Sequence, residues 1–135
     1  MCKTGSHIGV KADDIGKRRL AAQGRVLVDP DRLYLGRGAA AIRQGDLVAR
    51  SGGDEFLLIL PRTNLEAACA IAERVRSGIE LTRFVHRRDL APVRLTASIG
   101  VAVALDAHTD RSDLIDRADE LLYVAKESGR NRVAA

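Results

Sequence analysis

The sequence has few aromatic residues, few cysteines and no long apolar segment, and each absence excludes a class of protein. Aromatic residues make up 3% of the 135 residues and tryptophan is absent, so stacking platforms for single-stranded nucleic acid are scarce. The two cysteines, Cys2 and Cys69, are too few for a disulfide framework. No apolar run reaches the roughly 18 residues of a membrane span, so we expect no membrane-spanning helix.

The overall composition is that of a folded, water-soluble domain. Hydrophobic residues account for 46% and charged residues for 30% of the chain, a balance that argues against disorder. The net charge of +4 is modest and the basic residues are scattered, which argues against binding to duplex nucleic acid. Residues 1–7 contain no apolar segment of the signal-peptide kind, and we therefore expect a cytoplasmic protein.

The N-terminal part has the weakest pattern. Residues 1–24 contain four glycines and a charge-rich stretch, and we expect a loosely ordered arm there. Residues 25–135 are expected to form one domain. Its first strand is predicted at residues 25–29, before Pro30, which cannot donate to a sheet, and a weak helical segment follows at residues 36–44.

A β-hairpin gives the clearest local signal. The β-prone runs 46–51 and 55–60 flank the pair Gly52-Gly53, and two glycines favour a tight hairpin turn because they accept positive φ angles.

Two amphipathic helices and one further strand complete the predicted elements. Thr63 and Glu66 form a capping-box pattern before a helix whose apolar face includes Cys69, which is most simply a small core residue. A polar loop is expected at residues 82–94 and an alternating strand at 95–105. A second helix is capped by Ser112 and ends at Gly129, and a short strand is predicted at residues 132–133. The sequence thus predicts an α+β fold of the palm-like or ferredoxin-like kind, a mainly antiparallel sheet with the helices packed on one face.

The predicted hairpin tip carries unusual chemistry for a plain turn. Asp54 and Glu55 follow Gly52-Gly53 directly, and the glycines allow a ligand to approach the backbone. Carboxylates on such a tip suit Mg²⁺, which completes its coordination with substrate phosphates. Asp29, at the end of the first predicted strand, could supply a second carboxylate. The alternative is that the two acids are solvated turn residues.

Five motifs occur in the order of one known family. They are the segments Arg50–Phe56, Arg43–Asp46, Leu95–Val101, Ala118–Lys126 and Ser128–Val133. The first of these, with the sequence RSGGDEF, resembles the signature of the GGDEF-domain family, the diguanylate cyclases of bacterial signalling. The resemblance runs from Arg43 to Val133, and its ordered motifs make it far more specific than a single short pattern.

The resemblance implies a nucleotide-cyclase-like palm fold and a transferase activity. Enzymes of this family condense two GTP molecules into cyclic di-GMP with Mg²⁺, or alternatively Mn²⁺, at a site between two facing domains, so it implies a homodimer. By position, the metal ligands would be Asp54 and Asp29, and Glu55 would act with Asp54 in catalysis. The nucleotide would be bound by Gly52, Gly53, Lys126 and Arg130. Without the resemblance, Lys126 and Arg130 would be ordinary charges at a helix C-terminus.

The resemblance also implies a product-inhibition site. The pattern RxxD at Arg43 and Asp46, together with Arg74 on the first long helix, would bind cyclic di-GMP, since arginines and carboxylates can bind phosphate and guanine edges. Without the resemblance, Arg43 and Asp46 would be solvated residues that flank a turn.

The N-terminal part departs from the family pattern. The segment Val28–Tyr34 only partly matches the first strand motif, and residues 35–42 are too few for the helix that follows it in the family. The asparagine and aspartate that bind guanine have no clear counterpart. Two alternatives to an active cyclase therefore stay open: a domain that binds cyclic di-GMP without catalysis, and a dimerising remnant that binds no ligand.

Overall fold

The computed structural model of the chain describes residues 5–12, 45–52, 55–85, 92–105 and 109–135. The elements in these ranges, in chain order, are β1 (Gly5–Ala12), β2 (Leu47–Gly52), β3 (Glu55–Pro61), α1 (Leu65–Leu81), β4 (Phe84–Val85), β5 (Pro92–Val93), β6 (Ala97–Val103), α2 (Arg111–Glu127) and β7 (Val133–Ala134).

The first strand lies in the middle of the main sheet. The strand order is β2-β3-β1-β6-β7, and β1 is antiparallel to both β3 and β6. Ile8, for example, pairs with Leu58 on one side and Val101 on the other. The prediction of a loosely ordered arm is therefore wrong for residues 5–12, because two neighbouring strands satisfy the backbone of a segment whose own pattern is weak. The strand predicted at 25–29 and the helical segment at 36–44 lie outside the described residues.

The predicted hairpin is confirmed. β2 and β3 pair antiparallel from Leu47 opposite Ile59 to Gly52 opposite Glu55, with a register irregularity between Arg50 and Gly52. Because β2 is an edge strand, the end of the hairpin at Gly52 and Glu55 lies at a corner of the sheet.

The two helices cover opposite faces of the sheet, not the single face that the sequence predicted. On one face, the apolar positions Ala97, Ile99 and Val101 of β6 belong to the core that α1 completes. On the other face, Ala102 packs with Leu114 and Ala118 of α2. Successive residues of a strand point to opposite faces, and both faces of β6 are buried. This strand is therefore the structural centre between the two helices.

A glycine brings α2 unusually close to β6. A Cβ atom on Gly100 would overlap the carbonyl oxygen of Ala118 and the amide nitrogen of Leu122. The residue opposite Gly100 on β1 is also a glycine, Gly9. The helix can thus rest on the strand backbone, which fixes the position of its C-terminal end.

The N-caps of both helices differ from the predicted ones: the cap of α1 lies one residue after Thr63, and the cap of α2 lies two residues before Ser112. The N-cap of α1 is Asn64, whose side chain accepts a hydrogen bond from the amide of Ala67 at 2.9 Å. Thr63 is buried, and its hydroxyl donates to the carbonyl of Pro61. The N-cap of α2 is Asp110, which accepts from the amide of Ser112 at 3.0 Å. In each case, the side-chain oxygen of the N-cap accepts a hydrogen bond from a backbone amide in the first turn of its helix.

The connections between the helices and the sheet also differ slightly from expectation. The segment expected as a polar loop contains the short antiparallel pair β4–β5. The final strand β7 forms near its predicted place and pairs parallel with β6. The mainly antiparallel sheet with packed helices is the α+β architecture that the sequence predicted. Within the described ranges, neither helix is long and apolar enough to cross a membrane.

Candidate functional site

The hairpin tip continues into a row of residues that crosses the sheet. Gly52 lies opposite Glu55, Glu55 lies opposite Lys11 of β1, and Lys11 lies opposite Ser98 of β6. The Glu55 side chain is half-buried, and Gly53 and Asp54 lie outside the described residues. Cross-strand partners share one face of a sheet, so Glu55 and Ser98 lie on the same face.

The turn that follows α2 is attached to the end of this row. The amide of Asn131 donates to the Ser98 hydroxyl at 3.2 Å, and the amide of Ile99 donates to the carbonyl of Arg132 at 2.9 Å. Since β1 alone separates β3 from β6 and strands lie about 4.8 Å apart, Glu55 and Ser98 are about 10 Å apart along the row. The hairpin tip and the turn therefore lie at the same end of the sheet.

The course of α2 brings its C-terminal end to the end of the sheet that also carries the hairpin tip. β6 begins with Ala97 opposite Ala12 and ends with Val103 opposite Ser6, so α2 starts beyond the distant end of β6. The helix then runs back across Gly100 toward Ser98, on the face that also carries Glu55. A carboxylate and two cationic residues, Lys126 and Arg130, are consequently brought to one end of the domain.

The two cationic residues do not both belong to the helix, although their spacing of four residues is that of one helical turn. Lys126 is half-buried in the last turn of α2, whereas Arg130 is exposed and lies three residues beyond the helix. The chain leaves α2 through a Schellman motif: the amide of Gly129 donates to Lys126 and the amide of Arg130 donates to Ala125. Gly129 has the predicted left-handed conformation, with φ of +113°.

The two residues that follow Gly129 continue this left-handed conformation. Arg130 has φ of +59° and Asn131 has φ of +48°. Asparagine tolerates this region fairly well, while arginine is uncommon there because its Cβ approaches the backbone carbonyl. The local backbone is thus set by contacts with the rest of the molecule.

The main contact comes from Arg76 of α1, which the sequence did not single out. Its guanidinium donates to the side-chain oxygen of Asn131 at 2.7 Å, and the Asn131 amide nitrogen donates to Glu80 at 2.8 Å. Arg76 also forms ion pairs with Glu73 at 2.6 Å and Glu80 at 2.8 Å, and 14% of its side chain is exposed. Spacings of three and four residues predict the two ion pairs, but only the tertiary structure brings Asn131 to them.

The charges of this group stabilise one another. The hydrogen bonds to Glu73 and then to Glu80 raise the pKa of the Arg76 guanidinium above its usual value. The hydrogen bonds from Arg76 and then from Asn131 lower the pKa of the Glu80 carboxyl. Both groups are therefore held in their charged forms at neutral pH.

The predicted inhibitory residues are only partly described. Asp46 is half-buried just before β2, at the end of that strand away from the hairpin tip, and Arg74 is exposed on α1. Arg43 lies outside the described residues.

The second carboxylate of the predicted metal site also lies outside the described residues. Asp29 was predicted because it ends the first strand, but the strand that ends beside the hairpin tip is β1, whose last residue is Ala12. In the sequence, Asp13 and Asp14 follow Ala12 directly. Their position after the alternating residues Ile8, Val10 and Ala12 is a sequence signal that the prediction of Asp29 did not use. Among the residues with described positions, no group of three or more potential metal ligands occurs.

Cys69 takes the place in the core that the sequence predicted. It is half-buried and packs against the core cluster of α1 and the sheet. Burial raises the pKa of its thiol, which keeps the thiol protonated and unreactive at neutral pH.

Comparisons with known proteins agree with this geometry. The sequence profile described as "Diguanylate cyclase, GGDEF domain" matches residues 37–132. Diguanylate cyclase DosC of Escherichia coli K12 is 43% identical over 94 residues, which cover 68% of this chain and 20% of that protein. Diguanylate cyclase DgcP of Pseudomonas aeruginosa is 35% identical over 102 residues, which cover 76% of this chain and 15% of DgcP. The chain thus spans a fifth or less of the length of these curated relatives.

Solved structures match nearly the whole chain. The GGDEF domain of DgcB from Caulobacter crescentus, in complex with c-di-GMP, superposes with a TM-score of 0.80 at 25% identity and covers 98% of this chain and 78% of that one. Diguanylate cyclase SiaD from Pseudomonas aeruginosa, in complex with its activator SiaC, gives 0.79 at 30% identity, covering 98% of this chain and 50% of SiaD. These similarities confirm the palm-like fold.

Proposed function

The chain belongs to the GGDEF-domain family, and from this membership we propose that it is a diguanylate cyclase. In this reaction the 3′-hydroxyl of each of two GTP molecules attacks the α-phosphorus of the other. Two phosphodiester bonds form, two pyrophosphates leave, and the product is cyclic di-GMP. The cytoplasm, where GTP is available, is the compartment we expect.

One observation carries the proposal: the hairpin tip and the turn after α2 lie at the same end of the sheet. Glu55 and Ser98 belong to the same cross-strand row, and Ser98 accepts a hydrogen bond from the amide of Asn131, the residue after Arg130. Phosphoryl transfer needs cations near the phosphates and carboxylates near the attacking hydroxyl. This pairing of a carboxylate with cationic residues supports that chemistry.

Each residue has a proposed task that follows from its chemistry. Lys126 and Arg130 bind the phosphates and offset the charge that spreads over their oxygens in the transition state. Glu55, together with Asp54, accepts the proton of the attacking 3′-hydroxyl. Gly52 and Gly53 let the nucleotide approach the backbone at the tip, where a side chain would otherwise interfere.

The donor set at the tip is suitable for a divalent cation. Glu55 is a half-buried carboxylate at the position where the phosphates would be bound, and carboxylate oxygens are the ligands that Mg²⁺ and Mn²⁺ prefer. Asp54 would hold the ion, with Asp29 as the second ligand from the sequence motif. Asp13 and Asp14 are stronger candidates for that second ligand, because they follow the strand that ends beside the tip. When bound, the cation would neutralise phosphate charge.

The reaction needs two nucleotides that face each other, and each chain would supply one of them. We therefore propose that two copies meet with their hairpin tips opposed, as a homodimer. A chain that binds GTP but stays monomeric at all concentrations would contradict this part of the proposal.

The activity test uses the purified chain with GTP and Mg²⁺ and measures cyclic di-GMP by chromatography. Replacing Glu55 with Gln or Arg130 with Ala should lower the rate by about a hundredfold or more. Matched controls on α2 remove the same charges away from the tip: Glu120→Gln and Arg111→Ala should keep the rate within about twofold, as expected for exposed surface sites. Absence of product from the unaltered chain would refute the proposal.

A second comparison identifies the second metal ligand. The substitutions Asp13→Asn, Asp14→Asn and Asp29→Asn are each titrated with Mn²⁺ and followed by electron paramagnetic resonance of the free ion. The substitution that removes a ligand should weaken Mn²⁺ binding about tenfold or more, while the others leave it unchanged. Weakening by Asp29→Asn alone would identify Asp29 as the second ligand.

One observation favours a second candidate function. The family profile begins to match only at residue 37, so the N-terminal part, which would bind guanine, departs from the family pattern. The chain would then bind cyclic di-GMP through Arg43, Asp46 and Arg74 without making it. In an active cyclase the same site would provide feedback inhibition.

Calorimetry with cyclic di-GMP tests this site. Binding should be removed by Arg43→Ala or Arg74→Ala and retained by Arg117→Ala, the control at an exposed site. Equal heats for all four proteins would exclude this site, and absence of any nucleotide binding would leave a dimerising remnant.

A further inference from the structure

Asn131 is held at both ends of its side-chain amide and also through its backbone. Its oxygen accepts from Arg76 at 2.7 Å, and its nitrogen donates to Glu80 at 2.8 Å. Its backbone amide donates to the hydroxyl of Ser98 at 3.2 Å. A side-chain amide with fixed partners on both atoms has a single orientation, so the backbone of residue 131 is held firmly as well.

Arg76 is itself oriented by its neighbours on α1. Two of its nitrogens donate to the same oxygen of Glu73, at 2.9 and 2.6 Å, and a third donates to Glu80 at 2.8 Å and also contacts Asn131. The planar guanidinium presents its donors in fixed directions. With its carboxylate partners in place, it can bind Asn131 from only one direction.

These contacts link elements that otherwise lie apart. α1 and α2 cover opposite faces of the sheet, and Arg76 reaches Asn131 across 55 positions of sequence. The link forms directly after the left-handed residue Arg130. Non-glycine residues keep such a conformation only where surrounding contacts hold them in it, and these conformations cluster at functional sites.

We propose that Arg76, Glu80 and Asn131, hereafter the Arg76 cluster, form a positioning device that aims Arg130 at the triphosphate of the bound nucleotide. The proposal rests on the proposed function, because it assumes that Arg130 binds the phosphates. None of the three residues needs to touch the substrate. The cluster fixes the backbone of residue 131, and this fixes the direction in which the neighbouring side chain leaves the turn.

The proposal predicts that loss of the cluster weakens nucleotide binding. The Arg76→Met substitution keeps the length of the side chain and removes every donor. Arg76→Lys keeps the charge but removes the planar, forked arrangement of donors, so it should retain only part of the nucleotide affinity that Arg76→Met loses. Glu66→Gln is the matched control, since it removes one charge from an exposed residue in the first turn of α1, well away from Arg76.

Calorimetry with Mg²⁺ and a GTP analogue that cannot react at its α-phosphorus measures the effect. We expect Arg76→Met to lower the affinity about tenfold or more, because small misplacements of a binding group are costly, and Glu66→Gln to lower it less than about threefold. Hydrogen exchange of the Asn131 amide is followed in the same proteins and should be faster in Arg76→Met. Unchanged exchange, or faster exchange with an unchanged affinity, would overturn the proposal.

A double substitution separates positioning from general damage to the fold. If Arg76 acts through Arg130, then Arg76→Met adds no further loss of affinity to a chain that already carries Arg130→Ala. Losses that add independently would overturn the proposal, since Arg76 would then act by another route. If the unaltered chain does not bind the analogue, the proposed function fails with this inference; if it binds and Arg76→Met binds equally, only the inference fails.

Discussion

At the residue scale, Arg76 illustrates how a common local pattern can acquire a specific role. Glu73 and Glu80 lie at the spacings of ordinary surface ion pairs, and such pairs contribute little to stability when exposed. Arg76 differs because it is largely buried and has a third partner, Asn131, from a distant part of the chain. The same arginine in an isolated helix would have no such partner, so its importance is a tertiary property.

The charge of Glu80 gives this group a pH dependence. Because hydrogen bonds from Arg76 and Asn131 lower the pKa of Glu80 below its usual value of 4.5, ionised Glu80 favours the folded state above that pH. The contribution is lost as the pH falls through the lowered pKa. The melting temperature of the unaltered chain should therefore exceed that of Glu80→Gln at pH 7, and the difference should shrink below about pH 4.5. A difference that stays constant down to pH 3 would contradict this assignment.

The helix caps give a second test at the residue scale. Asn64 caps α1 through the amide of Ala67, so Asn64→Ala should lower the free energy of unfolding by about 1 kcal/mol. Ser112, which resembles a cap in the sequence, lies after the true cap Asp110 and uses its backbone amide for the capping bond. Ser112→Ala should therefore lower the free energy of unfolding by less than about 0.5 kcal/mol. Urea denaturation measures both, and equal losses would mean that the caps are assigned wrongly.

At the element scale, the contact between β6 and α2 decides where the C-terminal end of α2 lies. The helix rests on Gly100, its buried residues Leu114, Ala118 and Leu122 follow one side, and the Schellman motif ends it. The alternating strand and the amphipathic helix could each be predicted from periodicity. Which helix covers which face of the strand could not be predicted, because a strand that is buried on both sides has no polar face to distinguish them.

Enlarging Gly100 should force these two elements apart. The added methyl group of Gly100→Ala would meet helix backbone, which cannot turn aside as a flexible side chain can. We expect a loss of about 1–3 kcal/mol in the free energy of unfolding. The control Ala49→Val enlarges an exposed side chain on β2. It should change the free energy of unfolding by less than about 0.5 kcal/mol. If both substitutions are tolerated equally, the helix does not rest on the strand as closely as described.

At the scale of the whole molecule, β1 joins the two halves of the sheet. It lies between β3, which carries Glu55, and β6, whose Ser98 anchors the turn after α2. Through β1, Glu55 and Ser98 belong to one cross-strand row, and Ser98 connects this row to the turn that carries Arg130. The segment that the local pattern marks as weakest is therefore the one on which the candidate site depends.

Removing β1 should therefore unfold the domain. A chain that lacks residues 1–12 would leave β3 and β6 without their common partner, and the backbone groups on the facing edges of both strands would lose their hydrogen bonds. We expect cooperative thermal unfolding, followed by circular dichroism, to disappear. A chain that lacks only residues 1–4 should retain it, since β1 begins at Gly5. Cooperative unfolding without residues 1–12 would support a domain that begins at residue 25, as the sequence first indicated.

The sequence alone determined the hairpin, the two helices, the alternating strand β6 and the family motifs, because these are signals of neighbouring residues: turn glycines, periodicity and spacing. The tertiary structure decided what depends on distant residues. It assigned the central strand to residues 5–12, placed the helices on opposite faces, and joined Arg76 to Asn131. Hydrogen bonding between strands and the packing of both sheet faces determine these arrangements, and neither is encoded in a short stretch of chain.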